Sequence, residues 1–160
     1  MSIQIGDSLP EATLNLLRDG VQAVTTHEIF KGKKVVLFSV PGAFTPTCSA
    51  KHLPGYVEKF EDFQRRGIEV ACMAVNDAFV MGAWGKSQNT PDGLMMLADG
   101  NGAFTQALGL ELDATAFGMG LRSKRFALYA EDGVVKLLHV EAPGEFKVSS
   151  AESVLAALDA

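Results

Sequence analysis

Two nearly unbroken apolar runs organise the first half of the chain. "KKVVLFSV" (33–40) and "IEVACMAV" (68–75) are β-branched, aromatic and apolar on both faces, the pattern of buried central strands. Between them "GYVEKFEDFQRRG" places apolar residues at 56, 57, 60 and 63. That 3, 4 spacing lines one face of a helix, and Gly67 supplies its stop. Strand, helix, strand in about 40 residues predicts a parallel βαβ unit with a right-handed crossover. Pro54 stands either in the first turn of this helix or at a kink in a longer one that starts near Cys48.

The flanking segments read more briefly. "ATLNLLRDGVQAV" predicts a β-hairpin turning at Asp19-Gly20, and "TTHEIF" a short helical turn capped by Thr25 or Thr26. Asp77 caps a helix running to Trp84, "GLMMLAD" is a third strand, and "NGAFTQALGL" a short helix. "ELDATAFGMGLRSKR" shows no period and is expected as a long loop. "RFALYAEDGVVKLLHVE" is a hairpin turning at Asp132-Gly133, and "SSAESVLAAL" a final helix with Ser149 or Ser150 as its cap. With neither repeat nor linker, the expectation is one α/β domain over residues 1–160, three-layered, with parallel and antiparallel strands mixed.

Composition narrows the function. A net charge of −5 argues against a nucleic-acid partner, because phosphate binding needs a basic face. No apolar run is long enough to span a membrane. "MSIQIGDSLPEATL" lacks the basic start and apolar stretch of a signal peptide, which points to a reducing, cytoplasmic setting. Cys48 and Cys72 with three scattered histidines do not make a zinc-ligand pattern. "CSAK" is not a Cys-x-x-Cys pair, and Pro54 stands where a cysteine phosphatase would carry an arginine.

The chemistry concentrates in "VVLFSVPGAFTPTCSAKHLPGY" (35–56). Cys48 follows the carboxyl end of a buried strand, where open α/β sheets bind ligands, and sits at a helix start. Free N–H groups and the partial positive charge of a helix N-terminus favour a thiolate over a thiol. An inert buried thiol is the other reading, and the Pro/Thr-rich surroundings of Cys48 weigh against it. Cys72 lies within an apolar strand and reads as that inert thiol.

The same stretch resembles the active-site signature of the peroxiredoxins, Pro-x-x-x-Thr-x-x-Cys, here Pro41, Thr45 and Cys48 in "PGAFTPTC". The longer run "PGAFTPTCSAKHLPGY", with "AVNDAFVMGAW" and "GLRSKRFALYAEDGVVK", is similar to the type II, peroxiredoxin-V-like group over nearly the whole chain. The resemblance implies a thioredoxin-like fold: a mixed central sheet flanked by helices on both faces, with an N-terminal hairpin extension. It implies thiol-dependent reduction of hydrogen peroxide and alkyl hydroperoxides, with no metal or organic cofactor. By the same resemblance Cys48 is the peroxidatic cysteine and becomes a sulfenic acid, and the Thr45 hydroxyl bonds peroxide and sulfur. Pro41 shields the sulfenic acid, Arg125 is the active-site arginine, and His52 supports the site from behind. Arg122 and Lys124 are left as surface charges.

Some animal members of the group carry a resolving cysteine near the C-terminal helix, where this chain has Ser149 and Ser150. Cys72 matches a second cysteine of plant-type members. Placed four residues before a strand end at Asn76, it would sit too far from the sheet edge to reach Cys48 without local unfolding. The expectation is a one-cysteine cycle recycled by an external thiol: glutathione with glutaredoxin, or thioredoxin. A peroxide sensor that relays oxidation to a partner protein is the alternative. Phe44, Phe79, Trp84, Phe117 and Met119 are expected to form an apolar patch, and type II relatives are typically homodimers through this region.

Overall fold

The computed structural model describes residues 2–159. Its main sheet has seven strands in the order Val21–Thr25, Thr13–Leu17, Met95–Ala98, Ile68–Ala74, Lys34–Val40, Phe126–Glu131, Val134–Val140. At the centre β3 (Lys34–Val40) runs parallel to β4 (Ile68–Ala74), with Phe38 opposite Cys72, and β4 runs parallel to β5 (Met95–Ala98). On the other side of β3 the hairpin β8 (Phe126–Glu131) and β9 (Val134–Val140) is antiparallel. The N-terminal hairpin β1 (Thr13–Leu17) and β2 (Val21–Thr25) extends the far side through Asn15 opposite Ala98. This is the mixed sheet with a hairpin extension that the sequence implied.

Period-2 alternation along the central strands builds two cores. Val36 and Phe38 of β3 and Val70 and Cys72 of β4 face one side. There they pack on Tyr56 of α2 (Leu53–Glu58), Phe63 of α3 (Phe60–Arg65), Trp84 of α4 (Ala78–Ser87) and Val154 of α6 (Ala151–Asp159). Val35, Leu37, Ala71 and Met73 face the other side, against Phe30 of α1 (Thr26–Phe30) and Phe104 of α5 (Ala103–Leu108). A fully buried large apolar side chain of this kind contributes about 1.5–3 kcal/mol.

Caps and turns follow the local chemistry. Thr25 closes a capping box with Glu28, Asp77 accepts from the Val80 amide, and Ser150 accepts from Ser153. The hairpin turns place Asp19-Gly20 and Asp132-Gly133 at positive φ. Three expectations need correction. The segment 111–123 is not a plain loop: β6 (Glu111–Asp113) and β7 (Leu121–Ser123) pair antiparallel around a 3-10 turn at Thr115–Phe117. Three-residue strands are too short to leave a period in sequence. The helix from Asp77 runs past Trp84 to Ser87. Trp84 belongs to the core, fully buried, and not to an exposed patch.

Candidate active site

β3 delivers the chain at Val40 into a tightly tied loop. The Ala43 amide donates to Asn76 Oδ1 at 3.0 Å, which joins this loop to the one after β4. A Cβ on Gly42 would meet Arg122 Nη1 at 3.0 Å and Thr45 Cγ2 at 3.2 Å, a tight fit to which those side chains would have to yield. Phe44 holds φ at +64°, a left-handed conformation that costs a side-chain-bearing residue of order 1 kcal/mol. Helical geometry begins at Pro46 and Cys48 lies in its first turn. From Cys48 to His52 the turn widens to a π-helix, with the Leu53 amide donating to the Cys48 carbonyl, and α2 continues from it with Pro54 in its first turn. Trp84 Nε1 donates to Ser49 Oγ at 3.0 Å and pins the turn to α4.

Cys48 is wholly buried, as an inert core thiol would be. Yet its sulfur has a polar neighbour. Arg125, between β7 and β8, donates from Nη2 to Cys48 Sγ at 3.1 Å and from Nη1 to His52 Nδ1 at 2.8 Å. The Phe146 ring lies under the guanidinium, 5.8 Å from Cζ to the centroid. One planar fork thus reaches the sulfur and the imidazole together.

His52 is buried and its protonation follows from its partners. Nε2 faces the Ser149 carbonyl at 3.0 Å, an acceptor, so it carries the proton. Nδ1 then presents its lone pair to Arg125. Burial and then the Arg125 charge push the His52 pKa down to about 3, so the ring is neutral. The Ser149 carbonyl also accepts from Tyr56 Oη at 2.8 Å. Tyr56 stacks on Phe38 of β3 with ring centroids 3.9 Å apart.

Behind this pair stands Glu141, which the sequence reading did not single out. It lies just beyond β9, and its amide donates to the Arg125 carbonyl at 2.9 Å. Its nearly buried carboxylate accepts from the amides of Lys147, Val148 and Ser149 and from Ser149 Oγ, all at 2.7–2.9 Å. Burial would raise its pKa, but these hydrogen bonds outweigh burial and hold the carboxyl below its ordinary range.

Of the residues proposed from sequence, Cys48, Arg125 and His52 are in direct contact. Thr45 stands in the loop before them, but its hydroxyl donates to the Gly42 carbonyl at 2.7 Å and not to sulfur. It therefore offers a lone pair, not a proton, to a substrate. Pro41 lines a cleft of about 710 Å³ together with Arg125, Phe117, Pro143 and Phe146. Arg122 is no free surface charge: Nε donates to the Met119 carbonyl at 3.0 Å and Nη1 lies 3.4 Å from that of Pro41. Cys72 is a free, fully buried thiol on β4. Burial, and then the Cys48 charge, push its pKa well up. β4 ends at Ala74 and not Asn76, so Cys72 is nearer the strand end than its sequence position indicated. The site roles of Asn76 and Ser149 left no signal because their partners are distant in sequence, and that of Glu141 left none because it collects backbone amides.

Among the described residues, no cluster of three His, Cys, Asp or Glu is placed to hold a metal ion, and no helix is long and apolar enough to cross a membrane. The redoxin family model matches residues 4–155. Peroxiredoxin-2E, chloroplastic, of Arabidopsis thaliana is 52% identical over 163 residues, covering 98% of this chain and 70% of that protein. Peroxiredoxin-2B of the same plant is 48% identical over 159 residues, 98% of each chain. Reduced Prx3 from Vibrio vulnificus, solved in complex with hydrogen peroxide, superposes with a TM-score of 0.93 at 52% identity, over 98% of this chain and 99% of that one. A buried thiol under a guanidinium, on this fold and among these relatives, leaves one assignment: the chain belongs to the redoxin family, as a type II peroxiredoxin enzyme with the thioredoxin-like fold.

Proposed function

We propose that the chain reduces hydrogen peroxide and alkyl hydroperoxides through Cys48 alone and is recycled by an external thiol. The observation that carries this reading is the 3.1 Å contact between Arg125 Nη2 and Cys48 Sγ. The thiolate attacks one peroxide oxygen, an S–O bond forms and the O–O bond breaks. The departing oxygen takes a proton and leaves as water or alcohol. An external thiol then condenses with the sulfenic acid, releasing water, and a second thiol reduces the mixed disulfide.

Ionisation alone does not account for such a reaction. An unperturbed thiol is a few per cent ionised at neutral pH, so full ionisation gains at most about 30-fold. The rest comes from holding the peroxide in line and stabilising charge on the departing oxygen, where one oriented donor is worth about 3–4 kcal/mol. Arg125 is that donor here. The Thr45 hydroxyl accepts from the peroxide, and Pro41 screens the sulfenic acid at the cleft. The apolar walls Phe117, Pro143 and Phe146 suit an organic tail.

Glutathione with glutaredoxin is the favoured reductant, with thioredoxin the alternative. The raised pKa of Cys72 keeps it a thiol at neutral pH and a poor nucleophile, which supports an outside resolver. Steady-state peroxide consumption with each reductant tests the scheme. Cys48→Ser is expected to abolish turnover and Cys72→Ser to keep most of it. Equal loss in both variants overturns the one-cysteine cycle.

A further inference from the structure

We propose that Glu141 is a positioning residue for the peroxide reaction, which holds Arg125 on the Cys48 sulfur by closing the loop 142–149 over the Arg125–His52 pair. This rests on the assignment of Arg125 to the reaction and extends it to a residue that touches neither sulfur nor peroxide.

A guanidinium on three rotatable methylenes does not stay in one place without partners. Here it has two besides the sulfur: the lone pair of His52 Nδ1 and the ring of Phe146. Both depend on the same loop. Phe146 belongs to it, and the His52 lone pair faces Arg125 because the Ser149 carbonyl takes the proton on Nε2. The loop leaves β9 at Val140, turns through Gly144 at φ +76°, and enters α6 at Ala151. Its return is fixed by one carboxylate that collects three successive amides and one hydroxyl. Glu141 thus sets the place of both the Ser149 carbonyl and Phe146. Its own backbone is tied to that of Arg125, so loop and guanidinium share a base.

The charged and titratable groups around the His52 ring are Arg125, Cys48 on its own helical turn, Tyr56 from α2 and Glu141 behind Ser149. Glu141 is an acid whose charge reaches the ring, yet it spends its oxygens on amides and the Ser149 hydroxyl and not on imidazole. Burial and the Arg125 charge keep His52 neutral against the opposite pull of Glu141. A carboxylate bonded directly to Nδ1–H would turn the lone pair away from Arg125.

A double-mutant cycle tests the proposal, with the peroxide second-order rate constant measured by stopped flow. Glu141→Gln puts an amide donor where an amide is now accepted, and is expected to lose at least about tenfold. Ser149→Ala keeps the carboxylate and deletes one donor, and is expected to lose about two- to threefold. In an Arg125→Lys background each loss should shrink to less than about twofold, because the route to the sulfur is already broken. A role confined to stability would lower the melting temperature without this dependence on Arg125. Ring ¹⁵N chemical shifts of His52 in the unmutated protein should place the proton on Nε2. Wild-type rates in folded Glu141→Gln, losses that multiply fully with Arg125→Lys, or a His52 proton on Nδ1 overturn the relay. A wild-type rate in Arg125→Lys itself overturns the Arg125 assignment and the relay with it.

Discussion

Arg125 Nη1 lies 2.8 Å from His52 Nδ1, and two basic groups share this contact because one of them is neutral. The guanidinium keeps its charge at any accessible pH, so the imidazole must give up its own. This makes His52 a source of pH-dependent stability. In the unfolded chain it takes a proton below about pH 6.5. In the folded protein it does so near 3. Between these values the unfolded state binds one more proton, so stability falls as pH falls, by about 1.4 kcal/mol per pH unit. Urea unfolding from about pH 7 down to about 5 stays above the ordinary carboxyl range, and comparison with His52→Gln separates His52 from the other two histidines. Stability should decline across that window in the wild type and much less in His52→Gln. A flat wild-type profile would show that His52 is not held neutral.

The planar fork of Arg125 reaches sulfur and imidazole at once, which a lysine ammonium cannot do from one point. Arg125→Lys is therefore expected to lose at least about tenfold in the peroxide rate constant, about 1.4 kcal/mol, despite keeping the charge. Arg125→Ala should lose more. Stopped-flow peroxide consumption, with circular dichroism to check the fold, decides it.

The parts of this molecule that were legible in sequence are those written locally. The two apolar runs became β3 and β4 because alternate residues of each face one core and the next. Asp19-Gly20 and Asp132-Gly133 announced their hairpins by needing positive φ. Cys48 and Arg125 were legible through motif likeness, and their contact spans 77 positions. What the sequence did not show was the set of contacts that exist only after folding. The Thr45 hydroxyl turned to Gly42, Arg122 turned inward to carbonyls, and Trp84 went to the core. Glu141 looked like any acid beside a turn, because the amides it collects lie six to eight residues on and have no residue-type signature.

Gly42 is predicted to be intolerant for lack of room. Its absent Cβ would stand 3.0 Å from Arg122 Nη1 and 3.3 Å from Met119 Cε. Gly42→Ala is expected to cost about 0.5–2 kcal/mol of stability and to slow peroxide reduction, since the displaced loop carries Thr45. Adding Arg122→Ala opens the space and should restore part of both. Thermal melts and rate constants of the two variants provide the check, and additive damage would refute the steric account.

Phe44, Phe79 and Phe117 are exposed at 56%, 64% and 82% of their surface, near the strand ends that carry Cys48. Phe44 reaches back to Trp84 with ring centroids 6.5 Å apart, so the patch rests on the core. Exposed aromatic rings of this kind suit an apolar face of a partner. The expected state at micromolar concentration is a homodimer through this face, and Phe79→Glu should yield monomers. Light scattering showing a wild-type monomer would refute this.

The last prediction concerns the fate of oxidised Cys48. A Cys48–Cys72 disulfide needs Cα atoms within about 7 Å and sulfurs turned toward each other. Cys72 is fixed opposite Phe38 in the parallel pair β3–β4, with its side chain in the core. Cys48 is fixed in the π turn, whose Leu53 amide bonds the Cys48 carbonyl and whose Ser49 holds Trp84. Both thiols belong to one core cluster, and joining them takes the Cys48 sulfur off Arg125. Cys72 also lacks thiolate character, since burial and then the Cys48 charge push its pKa well up. Glutathione is not fixed in the core as Cys72 is, and it meets the buried Cys48 sulfur from the cleft beside Arg125 once the oxidised site opens. One equivalent of peroxide followed by excess glutathione should therefore give a Cys48–glutathione adduct in intact mass spectra, in wild type and in Cys72→Ser alike. Glutaredoxin should then release the adduct. A stoichiometric Cys48–Cys72 bridge in the wild type, formed faster than the adduct, would show that the turn opens on oxidation and that Cys72 is the resolving thiol.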